Sequence, residues 1–174
     1  MKPLILIALL TPLALAACKE EQVQAPDPVD LTEVALSYFC QMNVSEHGGP
    51  KGQIHLKGYP APIFFAQVRD LVAYVKSPER DADITAIYVS DMSVAPTWQN
   101  PGISNWIAAD GATFVVGSNV AGGMGAPEIV PFGDAEGAGE FISRYGGNAV
   151  PLTDIPDDAA LGPVDLDLAL ETPA

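Results

Sequence analysis

Hydrophobic and polar positions first form a regular pattern at 53–57, where they alternate as they do along a half-buried strand. A glycine turn and a short apolar run at 62–65 follow, so the two stretches predict a hairpin. Over 66–76 the apolar residues recur at helical spacing, and the run ends before a proline. β-Branched and aromatic residues then predict a strand at 84–89.

The second half of the chain repeats this order after a loop-like stretch that prolines and a glycine interrupt. Apolar runs predict strands at 113–116 and 129–132. The spacing over 135–145 predicts a helix, and a last strand is expected near 149–152. Each half of the chain is therefore expected to run strand, strand, helix, strand.

This repeated order predicts an α+β fold of two related ββαβ modules packed side by side, one over 31–105 and the other over 106–156. The sheets should be mostly antiparallel, with the helices segregated to one face. A short internal similarity aligns Cys40 with Val116 and Met42 with Ser118. In this alignment the two sulfur side chains are additions to the scaffold and not part of the pattern that folds it.

The two ends of the chain lie outside the predicted modules. Residues 1–17 have the short positive start, apolar core and small residues of an export signal, and they stop directly before Cys18, as in the lipobox of bacterial lipoproteins. Cys18 is thus the expected lipidation site, and 18–30 should be a flexible tether. Lys19 favours sorting to the outer membrane, with the protein facing the periplasm. The acidic segment 157–174 is predicted to be disordered.

Composition narrows the classes of function. The chain carries 8 Lys and Arg against 22 Asp and Glu, a formal net charge of −14. Because the sequence has no basic patch, nucleic-acid binding is disfavoured. The sequence also lacks a nucleophile elbow, a phosphate loop and a dinucleotide fingerprint, so we expect that the protein is not an enzyme. A thiol enzyme that pairs Cys40 with His47 would leave the nearby Met42 unexplained.

The candidate chemistry lies around Cys40, the one thiol that remains after lipidation of Cys18. An unpaired thiol in an oxidising compartment is either buried and structural or used for binding. Met42 adds a thioether, and thiolate with thioether is a soft donor set that selects Cu(I). On a regular strand the two side chains would point to the same face, where both sulfur atoms could reach one ion. Binding would require a deprotonated thiol, so copper affinity should weaken as pH falls.

The spacing of residues in the sequence does not determine which side chain is the third copper ligand. His47, before two glycines, is the local candidate, and Met124, in a glycine-rich stretch of the second module, is the distant one. The repeat would place the Met124 loop opposite the His47 loop. Met92 could serve as a reserve ligand, although a core or loop methionine is the more ordinary reading.

The chain resembles the NosL family of copper-binding lipoproteins from the nitrous oxide reductase gene cluster. The resemblance covers about 36–156 and rests on the lipobox, the Cys40-x-Met42 motif, the strand end at 87–91 and the glycine-rich stretch at 117–125. It implies a periplasmic Cu(I) chaperone that works with apo nitrous oxide reductase and its ABC-transporter maturation complex. A lipid-anchored assembly scaffold that transfers no metal is the alternative.

The resemblance also implies ligands, because Cys40, Met42 and Met124 match the cysteine and methionine positions of the family. The family often has glycine between the cysteine and the first methionine, where this chain has Gln41. It also often has a histidine shortly after the later methionine, and this chain has none there. His47 would then be a substitute nitrogen ligand.

Overall fold

The computed structural model describes residues 25–165 and 167–173, so the predicted export signal and Cys18 lie outside the described residues. Within these ranges no helix has the length and apolarity needed to cross a membrane. The strands and α-helices are, in chain order, β1 (Gly52–Leu56), β2 (Ile63–Phe65), α1 (Val68–Lys76), β3 (Ile84–Ser90), β4 (Trp106–Ala108), β5 (Thr113–Val116), β6 (Val130–Phe132), α2 (Ala135–Tyr145), β7 (Asn148–Pro151) and α3 (Asp157–Leu161).

The strands form two antiparallel sheets, which confirms the predicted α+β fold of two ββαβ modules. The first sheet has the order β2-β1-β3-β4 and the second β6-β5-β7. In each module the first strand is central, and α1 or α2 connects its two neighbours. β4 differs from expectation, because it lies in the range assigned to the second module yet pairs with β3, with Trp106 opposite Ser90.

β5 is buried on both faces and joins the two modules. Phe114 and Val116 point into a core that also contains Ile54 of β1 and Leu71 of α1. Val115, on the opposite face, packs into a second cluster beneath α2. Successive strand residues face opposite sides, so a strand that is apolar at consecutive positions must be covered twice. The modules therefore share one core.

The topology contradicts the sequence repeat that aligned Cys40 with Val116 and Met42 with Ser118. The strand equivalent to β5 is β1, because both are the central first strands of their modules. Cys40 and Met42 precede β1 and belong to no strand. The prediction failed because a few identical residues carry less information than the order of the strands.

Both chain ends are more ordered than predicted, over the residues that the structure describes. The side-chain amide of Gln53 accepts the N–H of Val29 and donates to its carbonyl, each at 2.9 Å, and Tyr88 donates to the carbonyl of Pro26 at 2.7 Å. The segment from residue 25 thus covers the polar face of β1, where the buried amide of Gln53 needs partners. It is part of the fold and not of a flexible tether.

The acidic segment expected to be disordered contains α3. Asp157 begins this helix and forms an ion pair with Lys76 at 2.7 Å, while Arg69 donates to the carbonyl of Gly162 at 2.7 Å. Ala160 is buried in the shared core. Carboxylates suit a helix N-terminus, and two cations of α1 lie beside this helix, so a segment with a weak apolar face still folds.

Asp91 connects the exit of β3 to the second module. Its Oδ1 accepts the N–H of Ser93 at 2.9 Å and the N–H of Gly133 at 2.8 Å, and the neighbouring Met92 N–H donates to the carbonyl of Pro131 at 3.0 Å. These bonds fix the turn before α2 against the end of the first sheet. The Asp91 carboxylate therefore fixes the position of the second module relative to the first sheet.

We expect Asp91→Ala to lower the free energy of unfolding by about 1–3 kcal/mol, because it leaves two backbone N–H groups without their acceptor. Chemical denaturation measures the change. The control is Asp110→Ala, since Asp110 is exposed. Equal stability of the two variants would show that Asp91 does not connect the modules.

Candidate metal centre

Cys40 and Met42 lie on a tight hairpin, residues 36–43, which we call the cysteine hairpin. The N–H of Ser37 donates to the carbonyl of Met42, and the N–H of Gln41 donates back to Ser37, both at 2.9 Å. Cys40 occupies the turn. The chain reverses between Cys40 and Met42, so the condition of a regular strand with both sulfur atoms on one face is not met.

Gln41 makes the turn possible by adopting the left-handed conformation, with φ of +57°. Glycine takes this conformation without steric cost, whereas a residue with a Cβ adopts it only where other contacts hold the turn. The Gln41 side chain donates to the carbonyl of Tyr38 at 2.7 Å and helps to hold the turn. The side chain of Gln41 therefore supports a backbone conformation that is unfavourable for most residues with a Cβ.

The hairpin is fixed at its base to the edge of the first sheet. Tyr38 N–H donates to the carbonyl of Phe64 at 2.8 Å, and the Ser37 hydroxyl accepts the N–H of Ala66 at 3.2 Å. Cys40 is half-buried, and within the described residues it is a free thiol. Met42 is 45% exposed. Both sulfur side chains are therefore held at the surface on a fixed support.

His47 follows the hairpin and faces the second module. Its Nδ1 lies 3.2 Å from the carbonyl oxygen of Gly123. A carbonyl only accepts, so Nδ1 carries the proton, and in the neutral ring Nε2 then has a free lone pair. Nε2 is buried and has no hydrogen-bond partner in the described parts of the chain. This tautomer leaves Nε2 with the lone pair that a metal-binding imidazole uses.

The loop that carries Met124 packs directly on the His47 loop. A Cβ at Gly123 would lie 2.6 Å from both the Gly48 carbonyl oxygen and His47 Cβ, so any larger residue would separate the loops. Met124 is 41% exposed at this contact between modules. The structure thus brings the Met124 loop and His47 together, and it carries Cys40 and Met42 on the adjoining hairpin.

Lys51 holds the His47 loop in place, and sequence reasoning missed it. Its buried Nζ donates to the carbonyls of His47, Gly48 and Ala66, the last two at 3.1 Å. Burial lowers the pKa of Lys51 to about 8. Three carbonyl acceptors match the three N–H bonds of an ammonium, so the charged form persists at neutral pH. The residues next to Lys51 in sequence, Pro50 and Gly52, gave no signal that its side chain would be buried.

Met92 and His55 lie elsewhere. Met92 packs against the cluster beneath α2, as a core methionine does. His55 is buried on β1, with Nε2 3.1 Å from the amide oxygen of Gln53, and burial lowers its pKa. Both side chains therefore have structural surroundings. Within the described ranges no three His, Cys, Asp or Glu side chains form a metal-holding group, so a site here would depend on methionine.

Glu128 is a second buried charge-bearing residue that the sequence analysis missed. Its Oε1 accepts the N–H groups of Arg69 and Ile129, each at 2.9 Å. Glu128 Oε2 and Gln67 Oε1 are both buried, and neither finds a partner in the residues that the structure describes. A Cβ at Gly122 would lie 2.5 Å from the first and 2.8 Å from the second.

Burial raises the pKa of Glu128 to about 8. The carboxyl therefore holds a proton at neutral pH. Arg69 lies in the first turn of α1, and Gly122 lies against the carboxyl at the start of the Met124 loop, so this neutral acid packs between the first module and the loop that carries the candidate ligand.

Comparison with known proteins identifies relatives of this chain. The NosL family model matches residues 28–160. A copper-binding lipoprotein NosL of Achromobacter cycloclastes is 53% identical over 152 residues, covering 87% of this chain and 79% of that protein. A copper-binding lipoprotein NosL of Stutzerimonas stutzeri is 29% identical over 159 residues, covering 90% and 80%. The crystal structure of the copper chaperone NosL from Shewanella denitrificans aligns with a TM-score of 0.69 at 33% identity, covering 74% of this chain and 95% of that one.

The neutral Glu128 makes stability depend on pH. The pKa of Glu128 is higher in the folded than in the unfolded chain, so its contribution to stability is fully present below the ordinary glutamate pKa of 4.5 and is lost as pH rises toward about 8. Glu128→Gln keeps a neutral side chain and does not titrate. We expect the stability of the wild type relative to Glu128→Gln to fall between pH 5 and pH 8, by up to about 1.4 kcal/mol per unit. Denaturation at several pH values measures it, and a constant difference would contradict a protonated Glu128.

Proposed function

The chain belongs to the NosL family, and on that premise we propose that it is a periplasmic lipoprotein that carries Cu(I) and delivers it for the assembly of the copper sites of nitrous oxide reductase. The supporting observation is the placement of the soft donors. Cys40, Met42 and Met124 lie on surface loops, each at least partly exposed. A cargo ion held there can be exchanged, whereas a structural cysteine would be enclosed in the core.

We assign the copper ligands as Cys40, Met42, Met124 and His47. Cys40 supplies the thiolate that neutralises the charge of Cu(I), and the two methionines supply thioethers. His47 contributes Nε2, the ring nitrogen left free by the bond to Gly123. It takes the place of the histidine that the family often has after its later methionine. The core position of Met92 argues against including it.

The delivery route in this proposal begins at the membrane. Lipid on Cys18 would anchor the chain to the inner leaflet of the outer membrane, facing the periplasm. The acceptors are apo nitrous oxide reductase and its ABC-transporter maturation complex. The support is the family relationship, together with relatives that are named lipoproteins and a copper chaperone.

The proposal predicts that Cys40→Ser weakens Cu(I) binding on the order of 100-fold or more, because the thiolate is the only anionic ligand in the assigned set. The mature chain is titrated with Cu(I) without oxygen, in competition with a chromogenic chelator. The fold should be unchanged, which circular dichroism and thermal unfolding verify. Met92→Leu is the matched control and should bind one Cu(I) as the wild type does.

The alternative of a lipid-anchored scaffold without metal transfer makes a different prediction. A scaffold would form no tight one-to-one complex with Cu(I), and Cys40→Ser would then behave as the wild type. Wild-type affinity in the Cys40→Ser chain would also remove the assignment of Cys40.

A further inference from the structure

The cysteine hairpin and the turn before it carry an exposed apolar surface. Val34 is 80% exposed, Leu36 52%, Phe39 51% and Met42 45%. Single exposed apolar side chains are normal, but four of them within nine residues on one support make this segment a candidate interaction surface. We call these four residues the hairpin patch. Cys40 lies within the same hairpin.

The hairpin patch is preformed. The ring of Phe39 packs edge-on against Tyr38 and Phe65, with centroid distances of 5.4 Å and 5.8 Å. Phe65 is fully buried in the shared core, and the hairpin is hydrogen-bonded to the sheet edge at Phe64. A partner would therefore meet a surface that loses little conformational entropy on binding.

Carboxylates predominate around the hairpin patch, and exposed Arg80, next to Asp81, donates to the carbonyl of Val75 at 2.8 Å. Glu33 and Glu46 precede and follow the hairpin and are exposed, and Asp81 accepts a hydrogen bond from Tyr38 at 2.5 Å. Between residues 25 and 56 the sequence has a single Lys or Arg, Lys51. Its ammonium is buried, so it adds no cation to this surface. The patch is thus an apolar centre with an acidic rim.

We propose that the hairpin patch is the docking surface for the protein that receives the copper, and that the partner presents an apolar contact rimmed by Lys or Arg. The inference rests on the proposed function, because it places the recipient beside Cys40. A second copy of this chain would bring two acidic rims together, and an anionic membrane surface would be repelled in the same way. Charge complementarity therefore favours a basic protein partner.

Docking of this kind separates recognition from metal affinity. The apolar side chains of Val34 and Leu36 are not donors to copper, so they can be changed without altering the assigned ligands. Recognition would bring the sulfur or nitrogen ligands of the acceptor to Cys40, where copper passes from one ligand set to the other without entering solution. The acidic rim would raise the association rate, and salt would screen this effect.

The test uses the double variant Val34→Glu/Leu36→Glu in the mature chain. Its binding to the purified ABC-transporter maturation complex, with and without apo nitrous oxide reductase, is measured alongside Cu(I) affinity by chelator competition. We expect at least a tenfold loss of binding to the acceptor with Cu(I) affinity unchanged. The matched control, Leu161→Glu, changes a residue on α3 that is 55% exposed and should bind the acceptor as the wild type does.

Charge reversal tests the rim. Glu33→Lys/Glu46→Lys should weaken acceptor binding, and rising salt should weaken wild-type binding more than that of this variant. Wild-type acceptor binding in the Val34→Glu/Leu36→Glu chain would overturn the proposal. It would also be overturned if that variant abolished self-association in sedimentation, or binding to anionic phospholipid vesicles, in place of acceptor binding. Failure of the wild type to bind Cu(I) would instead count against the proposed function and leaves the docking measurement readable.

Discussion

The ammonium of Lys51 is the interaction on which the geometry of the candidate centre depends. Its three hydrogen bonds join the loop of His47 and Gly48 to Ala66, the residue whose N–H holds the base of the cysteine hairpin. Surface loops have little apolar area to fix them, so a buried cation with backbone carbonyls as acceptors replaces a hydrophobic contact. Removing that cation would leave three carbonyls without this donor, in the loop of His47 and at the base of the cysteine hairpin.

Much of the fold could be predicted from the sequence, because local signals and packing agree there. The helix over 135–145 is found with its predicted bounds, since Asp134 caps its start and Gly146 ends it. The strand over 113–116 is also found as predicted, because it is continuously apolar. α3 escaped prediction because its stabilising partners, Lys76 and Arg69, lie far away in sequence.

The candidate centre was less accessible to sequence reasoning. Cys40, Met42 and Met124 were candidates from their soft donor chemistry and from family resemblance, but nothing in the motif indicated that the chain turns at Gln41. The tautomer of His47 depends on a carbonyl 76 positions further along the chain. Such a contact exists only after two modules have packed, as do the environments of Lys51 and Glu128. Burial of a charged residue depends on tertiary packing, so it cannot be predicted from the neighbouring residues in sequence.

The docking of the N-terminal segment on β1 limits where the domain can be found. Because Pro26 and Val29 are hydrogen-bonded to the first sheet, only the eight residues from Cys18 to Ala25 remain between the proposed lipid and the folded body. Eight residues span less than about 30 Å even when fully extended. The folded domain would thus stay within roughly its own diameter of the bilayer. It would not diffuse across the periplasm.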